Sequence, residues 1–255
     1  MSLTAAYLII GCFIFVFGLC IGSFLNVVIY RVPLGISIAK GRSFCPRCHA
    51  PIAAYDNIPV LSWLLLRGKC RHCGEPIAWR YPLVELLGGI AALVSVACYG
   101  LSWMTLIAFA VVEIVTAIAF IDWDHMIIPN GLIIALAVPA ALSFVAEPSP
   151  DIKSRLIGVV VVALPLFLMA LFMGAFGMGD IKLMAVAGFL LGWQNTLVAG
   201  FIGLVLAGCV GIVKMARKTG EREMAFGPYL SMGIGAALLF GPQMIAAYLG
   251  FFGLI

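Results

Sequence analysis

"LIGVVVVALPLFLMALFMGAFGMGDIKLMAVAGFL", residues 156–190, is one apolar run interrupted only by Asp180 and Lys182. Polar and apolar residues do not alternate in it, so it lacks the two-residue period of a strand in a membrane barrel and reads as helix. The same character extends across the chain. Of 255 residues, 64% are hydrophobic and 10% charged, against about 45–50% and about 25% in soluble domains. A globule of this size cannot hide such an excess, so the solvent for most of the surface is lipid. Apolar segments lie near 4–30, 82–101, 103–121, 127–146, 154–175, 181–194, 196–214 and 228–252. Roughly 20 apolar residues cross a bilayer core. Most segments meet that length, while 181–194 is short enough to be a tilted or half-buried helix. The fold expected is an all-α integral membrane protein, a polytopic bundle of about eight transmembrane helices.

The basic residues set the orientation. If residues 31–81 face the cytoplasm, all of the 15 Lys and Arg except Lys153 and Arg155 fall in inside loops, including Lys182, Lys214, Arg217, Lys218 and Arg222. The positive-inside rule then puts both chain ends outside. Loop retention accounts for the net charge of +4, which calls for no nucleic-acid partner. The start "MSLTAAYLII" has no basic n-region and no clear cleavage site, so the first segment reads as a permanent anchor. The organisation expected is a first transmembrane helix at 1–30, a cytoplasmic insert at 31–81 and a membrane-embedded domain at 82–255.

The insert contains "CPRCHAPI" and "CRHCGEPI". Cys45 and Cys48, then Cys70 and Cys73, form two C-x-x-C knuckles, each followed at matching distance by Pro-Ile. Four thiolates brought together from two turns suit tetrahedral Zn²⁺ in a closed structural site. An insert with few apolar anchors needs such a staple to fold. A reducing cytoplasm disfavours disulfides, and reduced redox-active thiols are the alternative. The neighbouring His49 and His72 read as solvated loop positions. Cys12, Cys20, Cys98 and Cys209 lie in apolar segments and read as small hydrophobes.

Acids are few enough to place singly. Glu147 and Asp151 belong to an outside loop, Glu221 and Glu223 to an inside one, and Asp56 and Glu75 to the insert. Glu85, Glu113, Asp122, Asp124 and Asp180 remain at or within membrane segments, where an acid costs about 2.5–3.5 kcal/mol at a helix centre and is a functional candidate. The third segment ends at "AFIDWDHMIIPN" and the fifth at "GAFGMGD". Both run outside to inside, so acids distant in sequence arrive at one cytoplasmic edge. Asp122 and Asp124 are about 200° apart around a helix, so only one can face Asp180. Gly177 and Gly179 would permit close backbone approach and unusual dihedrals, and Asp180 would open a helix. Two such carboxyls share one proton, which lets one accept from water while the other donates to a carbonyl.

The stretches "GSFLNVVIYRVP" (22–33), the insert from Cys45 to Leu87, "IDWDHMIIPN" (121–130) and "GMGDIKLMA" (177–185) together resemble the type IV prepilin peptidase family, leader peptidases and N-methyltransferases of the GxGD aspartic protease group. Counting back seven residues from Pro129, the resemblance implies Asp122 and Asp180 as the catalytic pair. Asp124 is left as a helix-end acid, and Glu85 as an acid capping backbone donors; Glu113 matches nothing in it. The proline element reads "IPN" where many bacterial members read "LPD". The resemblance implies cleavage of a prepilin or pseudopilin after the glycine ending its leader, at the cytoplasmic edge of a bacterial inner membrane. It also implies methylation of the new N-terminus by S-adenosylmethionine bound near the insert, with residues 26–31 and 55–70 as candidate regions. No G-x-G-x-x-G follows a strand to support a dinucleotide-type site. The rival reading is a non-catalytic scaffold or proton-coupled transporter with a structural zinc ribbon. Transporter acids sit near mid-bilayer, whereas these cluster at one edge.

Overall fold

The computed structural model describes residues 2–147, 149–174, 176–217 and 224–253. Lys218, Glu221, Arg222 and Glu223, read above as part of an inside loop, lie outside the described residues. The chain divides into two compact units, residues 1–97 and 98–255. Helices account for the regular structure in both, and the only pairings of extended backbone among the described residues are two isolated bridges.

The first unit starts with α1 (Leu3–Arg31), capped where the Ser2 hydroxyl accepts the Ala5 amide. It ends in α3 (Arg80–Tyr99). Glycines let these two helices touch through their backbones: a methyl group on Gly18 would strike Gly88 and Gly89, and one on Gly22 would sit 2.7 Å from the Val84 carbonyl. Close small-residue approach of this kind drives helix pairing in lipid, where apolar burial gives no advantage. Higher up, the Asn26 amide donates to the Tyr81 carbonyl at 3.1 Å. Between α1 and α3 lies the insert, with a turn of 3₁₀ helix at Ala54–Asn57 and a short α2 (Leu61–Leu65). Its first loop winds round the buried Arg31 guanidinium, which donates to the carbonyls of Ser37, Lys40 and Arg42.

The second unit is a bundle of α4 (Trp103–His125), α5 (Asn130–Ala146), α6 (Ile152–Val161), α7 (Ala163–Met173), α8 (Met178–Ala216) and α9 (Gly227–Phe251). Ile118, Leu136, Leu183, Met184 and Ile234 form its centre. Among the described residues six helical stretches are long and apolar enough to cross a membrane, with α5 a shorter apolar helix. All eight apolar segments read from the sequence are helical. Those at 154–175 and 103–121 appear as α6 with α7 and as α4, while 181–194 and 196–214 are the two arms of α8.

The arms part at Gly192, whose φ of 71° and ψ of 168° leave the helix. Pairings run both ways from that point. Gly158 of α6 meets Gly188 on one arm, and Val162, just past α6, meets Gly200 on the other. Both arms therefore lie along the same helix, and α8 folds back at Gly192. A side chain there would collide with Pro150 and the Ser154 hydroxyl, and the left-handed φ itself favours glycine. The returning arm packs antiparallel on α9, with Gly203 against Leu230 and Ala199 against Gly233. The first arm, Met178–Leu191, is about 21 Å long at 1.5 Å per residue, short of the roughly 30 Å hydrocarbon core.

Breaking a helix frees carbonyls, which lipid cannot hydrate. Arg155, read from the sequence as an outside-loop cation, is instead 1% exposed within α6. Its guanidinium donates to the carbonyls of Pro150, Glu147, Phe189 and Leu190 and to the Ser143 hydroxyl. The Trp193 amide, also released at the break, reaches the Ser154 hydroxyl.

Candidate active site and cysteine cluster

Four helix ends of the second unit meet around Asp122 and Asp180. Asp122 lies in the last turn of α4, which closes on Met126 in the left-handed conformation. Pro129 then starts α5. Asp180 is the third residue of α8, where the helix dipole favours a negative charge. Its Oδ2 accepts the Gly177 amide at 3.2 Å, capping its own helix. Gly179 lets α8 press on the α4–α5 connection: a methyl group there would stand 2.9 Å from Ile128 Cβ. Beside it, the Lys182 ammonium donates to the Asn130 side chain at 3.0 Å.

The start of α9 completes the enclosure. Its Gly227 amide donates to Asp122 Oδ2 at 2.8 Å. The preceding Phe226 packs edge-to-face on Phe176, four residues before Asp180, with ring centres 4.8 Å apart. Both acids are buried, Asp122 at 5% and Asp180 at 8% exposure. Asp180 Oδ1 is buried yet accepts no hydrogen bond among the described residues. An orphaned buried oxygen of this kind needs a reason.

Asp122 is buried, whereas Asp124 is exposed. Of the two glycines, Gly179 gives the close approach expected. Gly177 has an ordinary extended backbone, φ −76° and ψ 150°, and contributes its amide instead of an unusual dihedral. The role of α9 was not readable: Gly227 opens an apolar segment and has no side chain to mark it. Glu113, nine residues before Asp122 on α4, is 5% exposed with Oε2 unpartnered among the described residues. Glu85 does accept a backbone amide, but that of Val60 in the insert at 2.6 Å, and not one in the first turn of α3.

In the insert the two knuckles have the same construction. Cys45 and Cys70 each donate their amide to a carbonyl five residues on, Ala50 and Glu75, and accept at their carbonyl from the residue four on, His49 and Gly74. Both of these donor positions turn left-handed, His49 at φ 58° and Gly74 at φ 72°. Each knuckle closes with one bridge, Phe44 to Pro51 and Lys69 to Pro76. The four sulfurs lie within 4.8 Å of one another, and Cys45 and Cys73 are 3.9 Å apart. Metal–sulfur bonds of 2.3 Å in a tetrahedron put sulfurs about 3.8 Å apart, so the cluster can hold a metal ion. Thiolate formation is favoured at Cys70, whose thiol is drawn down to about 6 by the amides of Cys73 and His72. At Cys73 the Glu75 amide pulls the same way, but desolvation and the three neighbouring thiols outweigh it and push the thiol up to about 12. His49 and His72 are exposed, as the loop reading had them.

A multi-pass helical membrane protein with two buried aspartates at one end of its bundle and a four-thiol insert is the class defined by these features. Residues 16–99 match the bacterial peptidase A24 N-terminal domain, and residues 107–212 the type IV leader peptidase family. Similar proteins include a prepilin leader peptidase/N-methyltransferase of Myxococcus xanthus, 41% identical over 80% of this chain and 62% of that protein. One of the same name from Aeromonas hydrophila is 34% identical over 92% of both chains. Another from Legionella pneumophila is 29% identical over 96% of this chain and 95% of its own. No solved structure matches significantly. The chain belongs to the type IV leader peptidase family.

Proposed function

We propose that this protein is a membrane aspartic endopeptidase that removes the leader of type IV prepilins or pseudopilins after a glycine and then N-methylates the new N-terminus. The burial of both Asp122 and Asp180 at helix ends that pack on the start of α9 is the observation that supports the reading. The names of the relatives support both activities.

Two carboxyls in one low-dielectric site hold one proton between them and titrate as a unit. The ionised member takes a proton from water, which attacks the scissile carbonyl, while the protonated member donates to the carbonyl oxygen. Collapse of the resulting diol returns a proton to the leaving amine. The Gly227 amide holds Asp122 by one oxygen, leaving its other oxygen for this chemistry, and Asp180 Oδ1 has no donor among the described residues. A glycine before the cut lets an extended peptide enter between packed helix ends. For the second step the new amine nitrogen takes a methyl carbon from the sulfonium of S-adenosylmethionine. The methyl–sulfur bond breaks to leave a thioether, and the amine loses a proton.

In this reading Cys45, Cys48, Cys70 and Cys73 hold a structural Zn²⁺, which has no open position for substrate and contributes folding energy to the insert. The functional division is the first anchor at 1–30, the zinc-bearing insert at 31–81 and the protease domain at 82–255. The distribution of Lys and Arg supports an inner-membrane orientation with insert and acids on the cytoplasmic side. Purified protein incubated with a synthetic prepilin peptide and S-adenosylmethionine should yield a leader ending in glycine and a mature fragment heavier by one methylene. A peptide left intact on prolonged incubation would overturn the proposal.

A further inference from the structure

Leu61, Leu64 and Leu65 share one face of α2 at helical spacing and are 48%, 59% and 72% exposed. Other side chains of α2 fix it to the insert. The buried Ser62 hydroxyl donates to the Tyr55 carbonyl and accepts the Ile58 amide, and the Trp63 indole donates to the Ile77 carbonyl at 3.1 Å. The leucines are thus turned outward by contacts that hold the rest of the helix in place. An outward apolar patch of this kind marks an interaction surface.

Contacts with α1 and α3 set the depth of this patch. The Val60 amide, at the start of α2, donates at 2.6 Å to Glu85, the sixth residue of α3. Gly22 of α1 faces the same Glu85 backbone. Asn57 and Pro59 line a cavity with Ser23 and Phe24 of α1. At 29 residues α1 is about 44 Å long, roughly 14 Å more than a hydrocarbon core. With its start at the far boundary, α1 leaves the core near Gly22 and Ser23, so α2 begins at the boundary between acyl chains and headgroups. The backbone is shaped to this position. Val60 turns the chain at φ 61° and ψ −49°, which a β-branched residue adopts only where its surroundings enforce it, and the left-handed Arg67 and Gly68 turn it away again.

We propose that residues 57–69 form an interfacial anchor seated in the leaflet on the insert's side of the bilayer. Leu61, Leu64 and Leu65 enter the upper acyl region, the depth of about 5–10 Å that interfacial helices reach, and Arg67 and Lys69 meet lipid phosphates. The lipid around α1 and α3 is continuous with the leucine face: at the same level Phe24 of α1 and Leu86 of α3 are exposed. Charge complements it, since residues 57–74 carry Arg67, Lys69 and Arg71 and no acid, and anionic headgroups attract such a segment. Trp79, exposed just before α3, stands at the level where aromatic belts lie. Seated in this way, α2 gives the knuckles a third attachment to the membrane besides α1 and α3. The assignment goes beyond the proposed reaction and does not depend on either activity.

An environment-sensitive fluorescent amino acid placed at position 65 of the full-length protein tests the anchor, with position 47, on the first knuckle, as the comparison. The protein is reconstituted in vesicles of phosphatidylethanolamine and phosphatidylglycerol, and each probe is quenched in turn by aqueous iodide and by lipid bearing a nitroxide high on its acyl chain. Iodide should quench position 65 about fivefold less than position 47, and the nitroxide lipid should quench position 65 alone. Raising the phosphatidylglycerol content should strengthen nitroxide quenching at 65, and Arg67→Gln with Lys69→Gln should abolish that gain. Equal iodide quenching at the two positions overturns the proposal by placing α2 in water. Protection of position 65 from both quenchers overturns it in favour of a protein partner, a second copy of this chain included.

Discussion

Replacing Arg155 by methionine should unfold the far end of the bundle while leaving the chemistry of any folded molecule unchanged. The guanidinium is fully buried and makes bonds of 3.1 Å or shorter to the Pro150, Glu147 and Phe189 carbonyls and to the Ser143 hydroxyl. Methionine keeps much of the volume but donates nothing. Stranding a buried acceptor costs about 1–3 kcal/mol, and four acceptors that relax in part sum to about 3–5 kcal/mol after the relief of a desolvated charge is returned. Lysine would recover little of this, because an ammonium has three donors and no planar fork. Asp180 and Leu191 are about 17 Å apart along the first arm of α8, so the acids should not sense the change. Denaturant unfolding in detergent, followed by tryptophan fluorescence, measures the loss, and cleavage rate per folded molecule measures the chemistry. A variant within about 1 kcal/mol of wild type would refute the assignment of Arg155 as the clamp on the broken helix.

Gly227→Ala should place a methyl group 2.7 Å from Asp122 Oδ2. A displaced acid of this kind lowers cleavage by roughly a hundredfold, with normal insertion and metal content; unchanged cleavage would remove α9 from the site. Cys45→Ser or Cys70→Ser should lower zinc below one ion per chain by metal analysis, and undiminished zinc would refute the four-thiolate site. Labels placed in the 31–81 loop should react only from the cytoplasmic face in intact cells; reaction from outside would invert the topology.

The helical membrane character was plain in the sequence because unbroken apolar runs leave the backbone one way to satisfy itself in lipid. The knuckles were plain as well, since their spacing encodes a local turn used twice. Angular separation indicated that only one of Asp122 and Asp124 could turn inward, and Asp122 is the buried one. Other features were hidden for physical reasons. Gly192 lies in an apolar run, and its left-handed backbone comes from the packing of Pro150 and Ser154, not from a local signal. Arg155 counted as a loop charge because hydropathy does not foresee carbonyls freed by a break 37 positions later, at the same Gly192. Gly227 acts on Asp122 through a backbone amide, which no residue type announces.

Leader cleavage by Asp122→Asn and Asp180→Asn is the most direct test of the paired acids. Each variant, inserted in the membrane and loaded with metal like the wild type, should leave a prepilin peptide uncut. Cleavage at the wild-type rate by either one would contradict the account.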